Sequence, residues 1–405
     1  MALKILYIHH CGTQGGSSRS LREMIQAFPE NTVQPHIISP KGTAANYFKE
    51  LNVPIIETIG ISQFDMTQAG YYRKLRWLIL LREICYIPFT VIAILKAKKR
   101  WKNIDIIHVN DIQSLFPLFL AKKIFGLPVV LHVRCPVITK KGRRVNFLKR
   151  FIPKYASRVL AIDKTVKYTL PKGINIDVVH NGLILPKSRE TQKETKKKRL
   201  TFGMVSNLLA YKGVLDFVEA AKICQEKGLE IDFTIIGGRS NQKRGIIERT
   251  LKVFGFRQYA DEEVDNLLKE YNLLENFKIE GFVQNLALAY NKIDVLCFPS
   301  HINAVGRPVF EAGFFSVPSI VAIDNPLNDA IINMETGICI SQKSPPDLAE
   351  AITYFYTNPS EITRMGENAH KLANEYYDIH KNALDALEIY RSVLEQHDMK
   401  KEIEK

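Results

Sequence analysis

The sequence predicts an α/β protein of two Rossmann-like domains whose parallel sheets face each other across a central cleft. Three observations carry this. The 405 residues exceed what one compact core fills and suit two domains. Short, fully apolar runs alternate with amphipathic stretches at helical spacing, the pattern of parallel sheets covered on both faces. The alternation runs through twice, separated by the polar segment Pro186 to Arg199, which is rich in Lys, Thr and Glu.

In the first series the expected strands are Lys4 to His9, Gln34 to Ser39, Ile104 to Val109, Val129 to Val133 and Val159 to Ile162. Helical spacing marks Ser20–Phe28 and Leu115–Phe125 between them. In the second series the strands are Leu200–Val205, Ile231–Ile236, Phe277–Ile279, Val295–Phe298, Ser319–Ala322 and Gly337–Ile340. Its helices include Val214–Glu226, Asp347–Thr357 and Pro359–Glu375, and a last helix, Ile379 to Glu395, is expected to pack back across the first domain. The domains are therefore 1–185, a linker 186–199, 200–378 and a terminal helix within 379–405. The apolar N-terminus reads as a first buried strand; it lacks the basic lead and small-residue cleavage site of a signal peptide.

The stretch Tyr71 to Trp101 is apolar, but Arg82, Glu83 and Pro88 interrupt it, so it is no spanning helix. The favoured reading is two packed helices broken at Pro88. The competing reading is a monotopic membrane contact with a basic flank at Lys96–Lys102.

Six scattered cysteines, without a C-x-x-C pair, read as reduced and mostly buried thiols of a cytosolic protein, and a structural zinc site is not expected. Net charge is +14, which favours anionic partners: phosphates, a membrane surface or nucleic acid. One acid-free basic run contains Lys140, Lys141, Arg143, Arg144, Lys149 and Arg150. Its solvated-surface reading competes with contact to an anionic partner or phospholipid headgroups.

Four segments carry candidate chemistry. Cys11-Gly-Thr-Gln-Gly-Gly-Ser-Ser joins a strand to a helix, where Gly15 and Gly16 let a ligand approach and Ser17 or Ser18 can cap. It could equally be a tight turn. His132 ends an apolar strand, where open α/β sheets place ligands, and His108 competes with it. Lys212 precedes a glycine and a helix, and can meet a phosphate as a point charge. In Asn303-Ala-Val-Gly-Arg-Pro-Val-Phe-Glu, the loop Asn303, Ala304, Val305, Gly306 and Arg307 offers consecutive amides, Gly306 permits close approach, and Pro308 suits a first helical turn. Glu311 lies one turn on, beside Arg307, where it could meet a ribose or simply complement the helix dipole.

Taken in order, these segments resemble the GT-B retaining glycosyltransferases of family 4. The likeness rests on Glu311-Ala, Pro318-Ser-Ile-Val, Val179-His-Asn-Gly-Leu, Tyr211-Lys-Gly, Gly281-Phe-Val and Asp294-Val-Leu-Cys-Phe-Pro-Ser. It implies that His132 lies at the reacting face of the sugar, Lys212 holds the diphosphate, Glu311 binds the ribose, Gly16 presents an amide to the phosphates, and backbone near Phe282 and Val283 meets the base. Two positions depart: Asn303 stands where the family has the first glutamate of its pair, and Asn207 where it has an arginine.

The resemblance implies transfer of a sugar from a nucleotide-diphosphate donor, UDP- or GDP-sugar, to a glycan or lipid-linked acceptor, with retention of configuration. The first domain would supply acceptor contacts. The nucleotide sugar is a co-substrate and no cofactor is expected. No metal is expected either, since the chain contains no D-x-D pair. Cytoplasmic location, peripheral on the inner membrane face, follows as an expectation, with no nucleic-acid partner because no recognition motif is present. Two rivals remain: a sugar-nucleotide 2-epimerase of the same architecture, distinguished by epimer formation without acceptor, and a nucleotide-sugar sensor that binds without transfer.

Overall fold

The computed structural model describes residues 2–68, 77–140, 142–184, 199–239, 259–283 and 285–403. The chain forms two compact units, Met1–Ile184 with Asp378–Lys405, and Leu185–Tyr377. The expected linker lies outside the described residues except for Arg199.

In the first unit the strands are β1 (Leu3–His9), β2 (Val33–Pro40), β3 (Ile55–Thr58), β4 (Ile106–Asn110), β5 (Val129–Val133), β6 (Arg158–Ala161) and β7 (Ile176–Val178). The helices are α1 (Gly16–Ala27), α2 (Thr43–Lys49), α3 (Ile79–Arg100), α4 (Leu115–Phe125), α5 (Arg143–Tyr155) and α6 (Lys164–Thr169). The second unit holds strands β8 (Leu200–Val205), β9 (Ile231–Ile236), β10 (Phe277–Glu280), β11 (Val295–Phe298), β12 (Ser319–Ala322) and β13 (Gly337–Ile340). Its described helices are α7 (Val214–Glu226), α8 (Asp261–Glu270), α9 (Leu286–Tyr290), α10 (Arg307–Phe314), α11 (Pro345–Thr357) and α12 (Pro359–Tyr376). The final helix, α13 (Ile379–Ile403), belongs to the first unit.

Both sheets are parallel, ordered β3-β2-β1-β4-β5-β6-β7 and β10-β9-β8-β11-β12-β13. Each winds outward in two directions from a central strand, so each has a switch point: between β1 and β4, and between β8 and β11. Successive β1 residues serve opposite cores. Leu6 and Ile8 join the α3, α4 and α5 side, while Ile5 and Tyr7 join the side covered by α1 and α13. In the second unit Phe202 and Met204 pack under α7 and α11, and Leu296 and Phe298 face α10. Gly182 lets α13 close on the first unit, since a Cβ there would stand 2.5 Å from Ile379 Cα.

Strands β3 and β7 lie outside the sequence expectation; both are short edge strands, and only Ile56 and Thr58 among their residues are buried. The break at Pro88 is also corrected. Helix α3 runs through Pro88, because the 58–63 loop fastens both sides of it. The Ser62 amide donates to Thr90 Oγ1 (2.8 Å), Thr58 Oγ1 to Phe89 O (3.3 Å) and the Gln63 amide to Glu83 Oε2 (2.9 Å). Residues 71–76 of that expectation lie outside the described set. Of the cysteines, Cys224 and Cys297 are buried, whereas Cys85 is exposed on α3.

Candidate functional site

In the first unit the candidate residues gather where parallel strands end beside the switch point. The register sets His9 opposite Asn110 and Asn110 opposite His132, so β1, β4 and β5 deliver them to one edge. His132 is 2% exposed, the Val179 backbone faces its ring, and among the described residues its Nε2 makes no hydrogen bond of good geometry. Burial holds its pKa well below the ordinary histidine value, helped by the charge of Arg134 and by His108. It is therefore a neutral imidazole at neutral pH. Its Nδ1 lies 3.3 Å from Arg134 Nη2, so the proton sits on Nε2 if that nitrogen accepts from the guanidinium. His108 stands behind it, with ring centroids 5.3 Å apart, and its Nδ1 lies 2.8 Å from the Tyr390 hydroxyl of α13.

Arg134, unmarked in the sequence reading, organises this edge. Its Nε donates to Asn110 Oδ1, its Nη1 to Asn181 Oδ1 (2.7 Å), and its amide to Asp111 Oδ1 (3.1 Å). Its place two residues after His132, on the same side of the strand line, was the signal available. Asp111 was also missed. It adopts φ 98°, ψ 151°, a conformation left almost entirely to glycine, and its carboxylate accepts from the Ile112 amide at 2.7 Å. Such strain at a strand end by the switch point is a mark of functional sites.

Gly16 opens α1, and no atom stands within 4 Å of a Cβ built on Gly15 or Gly16. Packing does not demand glycine there, and the space is open for a ligand to reach the first-turn amides. Ser18, not Ser17, makes the cap-like contact: its Oγ lies 2.9 Å from both Gly15 N and Gly15 O. Lys140 and Arg143 are exposed, Arg144 lies over the Trp77 ring at 5.6 Å, and Lys141 falls outside the described residues.

In the second unit β8 leads to Asn207 and the turn Ala210–Lys212, and β11 leads to the 299–306 loop. The two loops dock on each other: the His301 amide donates to Tyr211 O at 2.9 Å. Gly213 adopts φ +77°, and a Cβ there would stand 1.9 Å from Pro299 O, so glycine is required. Lys212 is half-buried, with its Nζ 5.7 Å from the Phe298 ring and 5.4 Å from the Tyr211 ring. Burial lowers its pKa, and among the described residues it has no ion-pair partner. The edge of the Phe298 ring meets Gly306, the residue that caps α10: a Cβ there would stand 2.3 Å from Phe298 Cζ. The glycine is thus needed for ring packing. One aromatic ring joins Lys212 to the start of α10, where Pro308 has no N–H to offer and the Val309 amide donates to Gly306 O at 3.0 Å.

Glu311 is 3% exposed. Its Oε1 accepts from Arg307 Nε at 2.6 Å and its Oε2 from the Tyr290 hydroxyl at 2.9 Å. Asn303 uses its side chain on the backbone of Asp324: Oδ1 accepts from the amide at 2.8 Å and Nδ2 donates to the carbonyl at 3.4 Å. The carboxamide can do both, which a glutamate cannot. Asn207 is exposed, and its Oδ1 accepts from the Gly238 amide at 3.2 Å. Ala304 and Val305 carry the loop inward, Val305 packing in the α10 core. Phe282 is 75% exposed at the end of β10 and Val283 is partly buried. His301 was missed; its Nε2 lies 2.8 Å from Asp216 Oδ2 on α7. Among the described residues no group of three or more His, Cys, Asp or Glu side chains is placed to hold a metal.

Comparison with known proteins follows the same division. The family described as "Glycosyl transferases group 1" matches residues 187–372, and "Glycosyltransferase Family 4" matches residues 14–185. The capsular polysaccharide biosynthesis glycosyltransferase CapM of Staphylococcus aureus is 22% identical over 58% of this chain. The match takes in 64% of CapM, less than two thirds of its length. An α-D-kanosaminyltransferase of Streptomyces kanamyceticus is 22% identical over 69% of this chain and 74% of its own. Among solved structures, Anabaena HepE in complex with UDP and glucose superposes with a TM-score of 0.72 at 15% identity, covering 96% of this chain and 100% of that one.

Proposed function

The chain belongs to the group 1 glycosyltransferases of the GT-B fold, and from that membership we propose that it transfers a sugar from a nucleotide-diphosphate donor to a glycan or lipid-linked acceptor. One observation carries the reading. Lys212, desolvated and without a carboxylate partner among the described residues, shares the Phe298 ring with the start of α10. A cation and a helix N-terminus beside one switch point suit a diphosphate leaving group.

Departure of the diphosphate builds negative charge on its oxygens and positive charge on the sugar carbon. Lys212 and the α10 amides stabilise the first. Glu311 accepts from the ribose hydroxyls, held rigid by Arg307 and Tyr290. Arg307 adds positive charge beside the site, where the family arginine is replaced by Asn207. In the first unit, the family likeness gives the Gly16 amide a phosphate role and His132 a sugar hydroxyl, the His132 ring lying beside Arg134 and backed by His108. The basic residues Lys140, Lys141, Arg143 and Arg144 meet an anionic acceptor.

Retention of configuration and independence of metal belong to the same proposal: the departing phosphate takes the acceptor's proton, and no protein nucleophile is needed. A UDP-hexose is the donor to test first, because HepE has been solved with UDP and with UDP-glucose. A thermal-shift screen against UDP-, GDP-, ADP- and dTDP-sugars reads binding directly, since a ligand that binds only the fold raises its melting temperature. A rise for one base class supports the reading, and no rise with any of them refutes it. Product anomer analysis then decides retention.

A further inference from the structure

Helix α3 has two apolar faces. One, with Ala93, Ile94 and Ala97, belongs to the core of the first unit. The other is outside. Leu78, Leu81, Cys85, Pro88, Ile92 and Leu95 recur at alternating intervals of three and four residues, and all are exposed, Leu81 to 59% and Ile92 to 60%. A surface helix covering a sheet ordinarily turns polar residues to that side, and a contiguous apolar row there marks a contact surface. The row continues onto α5. Trp77, 51% exposed, lies beneath Arg144, and Phe147 of the same helix is 43% exposed.

Charge selects the partner. Helices α3 and α5 together carry ten Lys and Arg and one acid, Glu83. Glu83 is fully buried and accepts from the Gln63 amide and from Arg82. Every exposed charge on the two helices is therefore positive. Two copies of such a face would repel one another, whereas an anionic bilayer matches both features: apolar row into the acyl boundary, basic flanks onto headgroups. No helix among the described residues is long and apolar enough to cross a membrane. We propose that the α3 stripe, flanked by α5, lies in the interface of an anionic lipid bilayer, with Trp77 and Leu81 at its inserted end. The inference is independent of the donor chemistry.

The test uses the full chain and vesicles of phosphatidylcholine with or without phosphatidylglycerol. Cosedimentation is expected with phosphatidylglycerol vesicles and not with phosphatidylcholine alone, weakening as salt is raised. The double variant Leu81→Asp/Ile92→Asp is expected to lower partitioning about 100-fold or more, because two aliphatic side chains no longer enter the boundary. A wild-type readout covers the case in which that variant misfolds. The chain has two tryptophans, and Trp101 is 8% exposed, so quenching by brominated lipid reports Trp77 and should vanish in Trp77→Phe. No binding to anionic vesicles, or binding without quenching of Trp77, overturns the proposal. So does a folded double variant that binds like wild type, or a lipid-free dimer in sedimentation velocity that this variant abolishes.

Discussion

Replacing Glu311 by alanine separates stability from donor recognition at the start of α10. The residue is 3% exposed, and its carboxylate accepts from Arg307 Nε at 2.6 Å and Tyr290 Oη at 2.9 Å. The Arg307 side chain is itself only 11% exposed. Removing one partner of a buried pair leaves an uncompensated charge and costs about 3–5 kcal/mol. For a unit of this size that corresponds to a fall in melting temperature of roughly 6–20 °C. Replacing both ends by apolar residues, Arg307→Leu/Glu311→Met, removes the buried charge along with its partner, and such exchanges are often near neutral. The double variant should therefore recover most of the stability while its affinity for the nucleotide stays at least ~10-fold below wild type, through loss of the ribose acceptor. Calorimetric melting and isothermal titration with UDP and UDP-glucose read the two quantities separately. A Glu311→Ala melting point within ~2 °C of wild type would refute the structural part. A double variant that binds donor like wild type would refute the ribose assignment.

Four further outcomes are expected. Lys212→Met should weaken nucleotide-diphosphate binding about 10- to 100-fold without lowering the melting temperature, since no described carboxylate loses a partner; titration calorimetry and melting check both. Because burial lowers the Lys212 pKa, its ammonium is lost at a pH below the ordinary lysine value, so donor affinity should fall there as pH rises, and should not do so in Lys212→Arg. Burial also holds His9, His108 and His132 well below the ordinary histidine pKa, so the unfolded chain takes up protons first as pH drops. The first unit should be fully stable above pH ~6.5 and lose up to ~4 kcal/mol per pH unit below it, for three protons, as read by urea melts across pH. Asn303→Glu restores the family residue but cannot donate to Asp324 O, and should cost ~1–3 kcal/mol in melts without raising transfer rate.

The sheets were legible because their inner strands are continuous apolar runs, and β5, β8, β9, β11, β12 and β13 begin and end where those runs do. Strands β3 and β7 were not, since an acid, Glu57 or Asp177, breaks each short apolar run and of their residues only Ile56 and Thr58 are buried. The turn that carries Lys212 and the helix start that carries Gly306 and Glu311 were legible because glycines and Pro308 punctuate them. What surrounds them was not. The Asp324 backbone meets Asn303 from 21 residues away, and Tyr390 reaches His108 across 282. Such contacts are set by packing between distant elements. Pro88 misled for a related reason: its helix-breaking tendency is local, while the loop that holds α3 continuous comes from 58–63. The strain at Asp111 leaves no trace in residue type, but Arg134 could have been read from the two-residue period of its strand.

The central claim is that Lys212 and the start of α10 hold the diphosphate of an activated sugar. Isothermal titration of the full chain with UDP-glucose and GDP-sugars in EDTA, beside Lys212→Met, tests it most directly. One donor class should bind with one-to-one stoichiometry without added metal, and the variant should bind it at least ~10-fold more weakly. Absence of heat from every donor, or equal affinity in the variant, would contradict it.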